Sequence, residues 1–164
     1  MAVVLREGPA GLELLLAERA HRPGDRWSGH LAFPGGLEQP GDADARATAA
    51  REAHEEAGID LLAGGEVLGE LSDLLTARPG SLAPLVVRPV VFAVTRGAEL
   101  VLGAELSRAH WVPLDELARL RRSRSRMRRA LGWFAPGGGE RVAGTMLWGL
   151  TLAMLDDLLA RLEQ

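Results

Sequence analysis

The chain has 164 residues, of which 47% are hydrophobic and 25% are charged, and its formal net charge is −3. This balance is typical of one globular domain with its own core, and it argues against a surface built wholly for nucleic acid. The absence of cysteine excludes disulfides, thiolate metal sites and a cysteine nucleophile. All 19 basic residues are arginine, which we interpret as the codon bias of a GC-rich, bacterial genome.

The first half of the chain predicts a hairpin followed by a loop and a helix. Apolar stretches at 2–5 and 12–16 flank a Gly-Pro turn, a pattern typical of a β-hairpin. Residues 20–30 are polar and predict a loop, which leads into a short strand at 31–33. Residues 45–57 are rich in Ala, Arg and Glu and predict a helix that the following glycine ends.

The second half predicts further strands and two helices. Apolar stretches at 67–75 and 85–94 predict strands, the second of them central in its sheet. A short strand or bend is expected at 111–114, with Asp115 as the N-cap of the next helix. Residues 145–162 carry apolar side chains at helical spacing and predict a closing amphipathic helix. That helix packs in the core in the simplest interpretation, and a homodimer interface is the alternative.

The sequence shows no targeting or membrane signal. Its longest apolar run, at 85–94, is interrupted by Arg88 and Pro89 and is too short to span a bilayer. The first residues lack the pattern of a signal peptide. We therefore expect a cytoplasmic protein.

Three glutamates lie close together on the helix predicted at 45–57. Glu52 and Glu56 share a face, and Glu55 lies on its flank. Arg51 can pair with Glu55, but one guanidinium cannot neutralise three carboxylates, whereas a hard divalent cation can. An exposed acidic helix face is the simpler explanation of such a pattern by itself. A preceding Phe-Pro-Gly-Gly favours a ligand site, because glycine lets the backbone approach a ligand closely.

The segment REAHEEAGI at 51–59 resembles the second half of the Nudix box, G-x5-E-x7-R-E-U-x-E-E-x-G-U with U apolar, at every defined position. In the first half, Asp42 stands in place of glutamate, and eight residues separate it from Arg51 where the box has seven. This form is similar to the coenzyme A diphosphatase branch of the Nudix hydrolases. There, FPGG, an Asp six residues after the second Gly and a TAxRExxEE run recur, matching 33–36, Asp42 and 48–56 here.

Two flanking segments resemble the same branch. LLLAERA at 14–20, followed by GHLAFPGG at 29–36, is similar to its L-L-T-x-R-[SA] … G-x-x-x-F-P-G-G signature. LWGLT at 147–151 is similar to its I-W-G-x-T segment. The chain departs from the signature at Ala17, where the branch has Thr, and at Trp27, where it usually has His.

The resemblance implies an α/β fold, the Nudix-type α/β/α sandwich with a mixed central β-sheet, formed by one domain over 1–164. It implies hydrolysis of a nucleoside diphosphate linked to another group by water attack on phosphorus. Coenzyme A or a derivative would yield 3′,5′-ADP and 4′-phosphopantetheine. ADP-ribose, NADH, dinucleoside polyphosphates and modified NTPs remain alternatives, because the box handles only the shared pyrophosphate. A non-enzymatic domain that senses nucleotides or binds RNA is a further alternative, although the intact acidic box argues against it.

The resemblance also implies a role for each residue that matches a position of the Nudix box. Arg51 would orient the carboxylates, and the general base would be either Glu52 or Glu105. The predicted ligands of Mg²⁺ or Mn²⁺ are Glu52, Glu55, Glu56 and the carbonyl of Gly36. Arg19 and Arg26 lie near the 33–36 loop in sequence and are the candidates for binding substrate phosphates, with exposed ion pairs as the alternative. Phe33 and Gly35 are the other predicted substrate contacts.

Residues 119–129 contain seven arginines in eleven positions. They could bind a substrate 3′-phosphate or RNA, but no aromatic side chain is interleaved among them, as single-strand platforms require. We interpret the run as a solvated helix surface, and nucleic acid as an improbable partner. Trp111, Trp133 and Trp148 are interpreted as core residues or pocket walls.

Overall fold

The computed structural model describes residues 1–25, 27–77, 83–131 and 139–163, with the main chain alone at 126–131. The described part of the chain contains ten strands and four helices. The strands are β1 (Ala2–Gly8), β2 (Gly11–Arg19), β3 (Leu31–Ala32), β4 (Gly65–Glu70), β5 (Leu74–Ala77), β6 (Pro84–Val87), β7 (Val90–Val94), β8 (Leu106–Pro113), β9 (Glu140–Val142) and β10 (Thr145–Leu147). The helices are α1 (Ala45–Ala57), α2 (Leu61–Gly64), α3 (Leu114–Leu131) and α4 (Gly149–Leu162).

Six strands form a mixed central sheet. Its order is β3-β2-β1-β7-β4, with β8 also paired to β2. Strand β1 is antiparallel to β2 and parallel to β7. Two small antiparallel hairpins, β5–β6 and β9–β10, complete the strands. The expected mixed sheet is therefore confirmed.

The sheet separates two apolar clusters. Side chains alternate along a strand, so Val3 of β1 enters one cluster while Val4 enters the other. The first cluster includes the buried face of α4, among it Met154 and Leu158, and the second includes the alanines of α1. Helices thus cover both faces of the sheet, which is the predicted α/β/α arrangement.

Helix α1 has the predicted bounds, and both of its ends are fixed by local bonds. Asp44 caps the first turn by accepting from the backbone N–H groups of Arg46 and Ala47. At the other end Gly58 adopts the left-handed conformation, with φ 71°, and donates to the carbonyl of His54. The sequence prediction of this helix and of its terminating glycine is confirmed.

Two predicted strands are each divided in the structure. The stretch 67–75 contains the end of β4 and the start of β5, and 85–94 contains most of β6 and all of β7. Pro89 lacks an N–H group and interrupts the second stretch, while its carbonyl accepts from Leu71. Strands β4 and β7 therefore stay in the central sheet, whereas β5 and β6 leave it as a hairpin.

Other predicted bounds were wrong as well. The strand expected at 111–114 extends back to Leu106 in β8, whose polar residues concealed it. Helix α3 begins at Leu114, so Asp115 lies in its first turn and is not the N-cap. The helix expected at 145–162 is divided into β10 and α4, with Trp148 in an extended conformation between them. None of the described helices is long and apolar enough to cross a membrane.

Replacing Gly58 by alanine should destabilise the protein. The new Cβ would lie 2.7 Å from Cβ of Val101 and 2.9 Å from its carbonyl oxygen, in a conformation that costs a non-glycine residue about 1–3 kcal/mol. Urea denaturation would measure the lost free energy of unfolding. Gly97→Ala is the control, because a Cβ at Gly97 meets no atom within 4 Å. Unchanged stability of Gly58→Ala would contradict this account of the helix end.

Candidate active site

Arg51 links the loop after β3 to helix α1. Its Nε and NH2 groups donate to the two oxygens of Asp42 at 3.1 and 3.0 Å. Its NH1 group donates to Glu52 at 2.8 Å and to Glu55 at 3.2 Å, and NH2 also donates to the carbonyl of Leu37 at 3.1 Å. These five bonds match the five N–H hydrogens of a guanidinium. The longer spacing between Asp42 and Arg51 therefore still allows a two-pronged ion pair.

Asp42 is held in its ionised form by its surroundings. Hydrogen bonds from Arg51, from the backbone N–H of Gln39 and from the hydroxyl of Thr48 lower the pKa of this carboxyl to about 2. Each donor stabilises the charged carboxylate more than the neutral acid. Asp42 consequently remains a charged anchor for Arg51 across the neutral pH range.

Glu56 differs from the other glutamates of α1 because it is buried, with 7% of its surface exposed. Its carboxylate accepts a hydrogen bond from the backbone N–H of Gly35 at 3.2 Å. Burial, together with the negative charges of Glu52 and Glu105, raises the pKa of Glu56 to about 7. The site thus holds more negative charge than its own arginines neutralise.

The two glycines after Phe33-Pro34 allow the loop to pass close to these carboxylates. A Cβ on Gly36 would lie 2.7 Å from the carboxyl carbon of Glu52, and one on Gly35 would lie 2.8 Å from Cα of Met1. A backbone bond of 2.8 Å from Ala2 to Pro34 holds the loop against β1. Glycine is required here because any larger residue would displace a site carboxylate or the first strand.

A second group of charges comes from the end of β2 and from the segment before β8. Arg22 lies 3.4 Å from Glu105, whose side chain is half exposed. Arg19 donates to Asp25 at 3.0 Å and is close enough to Glu56 for its charge to lower the pKa of that carboxyl, in opposition to burial. Among the described residues, nothing accepts a hydrogen bond from the buried Nε of Arg19.

Most of the predicted site residues lie around this group of carboxylates. They are Arg19, Gly35, Gly36, Arg51, Glu52, Glu55, Glu56 and Glu105. Phe33 is an exception. It was predicted to contact the substrate, but it is 2% exposed and packs in the core, so its ring is not available to a substrate. Arg26 lies outside the described residues.

The donor chemistry fits a hard divalent cation. In the described part of the chain, Glu52, Glu55 and Glu56 each keep one carboxylate oxygen without a hydrogen bond. Mg²⁺ and Mn²⁺ prefer such oxygen donors, and added positive charge would favour the ionised form of Glu56, whose pKa is raised by burial and by the neighbouring carboxylates. No three acidic or histidine side chains among the described residues form a ready metal centre, and Arg51 bonds Glu52 and Glu55 in this structure.

Sequence reasoning missed two features of the site. The first is the support of Asp42 by Gln39 and Thr48, which the spacing of Asp42 and Thr48 within one box could have indicated. The second is Arg22, which carries no motif signal and reaches Glu105 only through the fold. Neither feature changes the predicted roles, which remain predictions.

The arginine run at 119–129 was interpreted incorrectly in part. Arg124 is 9% exposed and pairs with Asp156 of α4, and Arg121 donates to Glu163 at 2.6 Å. These arginines join α3 to the last helix and are not simply solvated. The side chains of 126–129 lie outside the described residues.

Comparison with known families assigns the chain. The sequence model of the NUDIX domain matches residues 1–134. The chain belongs to the Nudix family. This is a family of hydrolases that act on phosphoric anhydrides, typically with divalent metals, and it implies a small nucleotide substrate.

Solved structures share the fold of this Nudix domain at low sequence identity. An Ap4A hydrolase of Caenorhabditis elegans in a binary complex is 18% identical, with a TM-score of 0.66 and coverage of 99% of this chain and 94% of that one. The NUDIX domain of NrtR from Shewanella oneidensis, complexed with ADP ribose, is 16% identical, with a TM-score of 0.60 and coverage of 98% and 84%.

An uncharacterised protein of Schizosaccharomyces pombe is 37% identical over 107 residues. The match covers 63% of this chain and 32% of the yeast protein, so the chain spans about a third of the length of this relative.

Asp42→Asn should destabilise the protein in a pH-dependent manner. The ion pair with Arg51 lowers the pKa of Asp42 to about 2 from an unfolded value of 3.8. Its stabilisation is therefore fully present above 3.8 and is lost as the pH falls through about 2. Urea denaturation at a series of pH values would measure the difference between the variant and the unchanged protein. That difference should shrink steadily below about pH 4.

Asp115→Asn is the control, because Asp115 forms no ion pair among the described residues and lies on an exposed turn of α3. A loss of stability in Asp42→Asn that stays constant down to the acid limit would contradict the proposed ion pair.

Proposed function

We propose that this Nudix domain is a metal-dependent pyrophosphohydrolase that cleaves a nucleoside diphosphate linked to another group, with coenzyme A or a derivative as its substrate. The observation that carries the proposal is the carboxylate group organised by Arg51 beside the buried Glu56. A site that cleaves a pyrophosphate needs carboxylates close together for a cation, and Arg51 keeps Glu52 and Glu55 together by bonding one oxygen of each. An acidic helix face with only a solubilising role would have no reason to bury Glu56.

In this proposal, Glu52, Glu55, Glu56 and the carbonyl of Gly36 would hold Mg²⁺ or Mn²⁺. The chemistry that such a bound ion supplies is neutralisation of the pyrophosphate charge, polarisation of phosphorus and a lower pKa of water. Arg51 keeps one oxygen of Glu52 and one of Glu55 bonded, so each side chain presents its other oxygen. Gly35 does the same for Glu56 through its backbone N–H.

Arg19 is proposed to bind a phosphate of the substrate. Its Nε is buried without an acceptor among the described residues, but the side chain as a whole is 33% exposed. A phosphate oxygen would bind at the exposed part of the guanidinium, since arginine donates readily to phosphate. The bond from Arg19 to Asp25 would orient the guanidinium before the substrate binds.

The general base is proposed to be Glu52 or Glu105. Glu52 lies directly beside the glycine loop, but one of its oxygens is engaged by Arg51 at 2.8 Å. Glu105 is half exposed and accessible to water, and its carboxylate forms an ion pair with the guanidinium of Arg22 at 3.4 Å. Either carboxylate could accept a proton from the attacking water, provided that the substrate brings its phosphorus within reach.

Coenzyme A is favoured over other substrates by the form of the box. Asp42 and the eight residues between it and Arg51 are features shared with the branch that acts on coenzyme A. Despite the additional residue, Asp42 forms a two-pronged ion pair with Arg51. The extra residue is thus compatible with a working site. A dinucleoside polyphosphate or ADP-ribose is the second candidate, because structural neighbours are an Ap4A hydrolase and a domain complexed with ADP ribose.

Glu56→Gln should abolish most of the activity. Loss of one charged metal ligand removes several kcal/mol of electrostatic stabilisation, so we expect turnover to fall about 100-fold or more. The shift of the thermal midpoint caused by Mn²⁺ should also decrease, since a ligand that binds only the folded state raises its stability. Glu116→Gln, an exposed glutamate of α3, is the matched control. Full turnover in Glu56→Gln would refute its role.

Chromatography of the products formed with Mg²⁺ or Mn²⁺ would identify the substrate. We expect coenzyme A to yield 3′,5′-ADP and 4′-phosphopantetheine, with Glu56→Gln as the inactive control. Cleavage of ADP-ribose, NADH or diadenosine polyphosphates alone would exclude coenzyme A and retain the hydrolase. Tight nucleotide binding without any cleavage would favour the sensor alternative.

A further inference from the structure

An exposed tryptophan lies at the start of the last helix. Trp148 retains 40% of its accessible surface, although tryptophan usually loses most of it on folding. Its indole Nε1 donates to Nδ1 of His30 at 2.9 Å, with the two rings nearly perpendicular and their centroids 5.4 Å apart. Because this bond meets the edge of the indole, His30 leaves the faces of that ring uncovered.

The position of Trp148 is fixed by its neighbours. A Cβ on Gly139 would lie 2.8 Å from Cβ of Trp148, so the two backbones approach as closely as glycine permits. Met146, two residues before Trp148, forms an isolated parallel bridge with His30, which precedes β3. Trp148 also accepts a backbone bond from Leu152 at the start of α4. The indole is therefore held in one place and is not a loose surface side chain.

A chain of contacts connects the His30–Trp148 pair to the carboxylates through Arg19, whose charge acts on Glu56. Arg19 donates its backbone N–H to His30 at 3.0 Å, and His30 is in turn bridged to Met146. His30 therefore contacts Arg19 through the backbone and Trp148 through its side chain, and it links the proposed phosphate contact to the exposed indole.

We propose that the His30–Trp148 pair is the platform on which the nucleobase of the substrate stacks. The inference rests on the proposed function, because it places a base beyond the phosphate contact at Arg19. An indole that is 40% exposed can stack with any heteroaromatic base, and such stacking is tolerant of base identity. Since Nδ1 of His30 accepts a bond, the neutral ring carries its hydrogen on Nε2, a donor that no described residue engages.

The contact with His30 gives the platform its orientation. A free indole on a surface would sample several rotamers, and stacking on it would require that freedom to be lost at binding. The Nε1–Nδ1 bond and the close approach of Gly139 restrict the ring before a base arrives. Trp148 is therefore a binding residue, and His30 positions it.

Titration calorimetry with AMP and with ribose 5-phosphate tests the platform, because these two probes differ only by the base. Trp148→Leu and Trp148→Phe both fill the position, but only phenylalanine can stack. In the presence of Mg²⁺, we expect Trp148→Leu to weaken AMP binding about 5- to 150-fold, the range found when a stacking aromatic is removed. Ribose 5-phosphate binding should stay within about twofold, and Trp148→Phe should retain most of the affinity for AMP.

Leu162→Ala, an exposed apolar residue at the far end of α4, is the control and should leave both affinities unchanged. Equal binding of AMP by the leucine and phenylalanine variants would overturn the proposal. So would equal losses for the two probes in Trp148→Leu, or no preference for AMP over ribose 5-phosphate in the unchanged protein.

Failure of the platform and failure of the hydrolase are distinguishable. Base-dependent AMP binding that requires Trp148, in a protein that cleaves nothing, would support the platform and refute the hydrolase. Cleavage that Glu56→Gln abolishes, in a protein whose AMP binding ignores residue 148, would support the hydrolase and overturn the platform.

Discussion

The constraint on which this site depends is the mutual repulsion of its carboxylates. Folding brings Asp42, Glu52, Glu55 and Glu56 to one end of α1, where Arg51 bonds the first three. Because all five donors of that guanidinium are engaged, Glu56 obtains only a backbone N–H. Burial, together with the charges of Glu52 and Glu105, raises the pKa of Glu56 to about 7. In the proposed function, the negative charge that remains would favour binding of a divalent cation.

The glycines and the capped helix make this crowding possible. The FPGG loop approaches Glu52 to a distance that only glycine allows, and Gly58 turns the chain away from α1 so that Val101 can pack against it. From there Gly103 donates to the carbonyl of Glu56 at 2.8 Å, which brings the following Glu105 to the site. The acidic site is thus formed by close backbone approach as much as by its side chains.

The sequence predicted those features whose signals are local. Helix α1 and its terminating Gly58 were predicted with correct bounds, because propensity and capping act within a few residues. The burial of Phe33 and the pairing of Arg124 with α4 depend on partners distant in the chain. Neither periodicity nor composition contains that information.

The contrast between local signals and distant contacts also applies to function: the residues for the reaction are mostly contiguous in sequence, whereas those proposed to bind the rest of the substrate are not. Most of the residues proposed to handle the pyrophosphate lie within 35–56, a single segment whose spacing can be compared directly with a family pattern. Arg19, proposed for a phosphate, and the His30–Trp148 pair, proposed for the base, come from three separate strand ends and meet only after folding. A contiguous motif therefore indicates the chemistry of the site and its resemblance to the coenzyme A branch. The contacts that would test this resemblance lie outside the motif, along the path from Arg19 to Trp148, because fold and reaction alone do not determine the substrate.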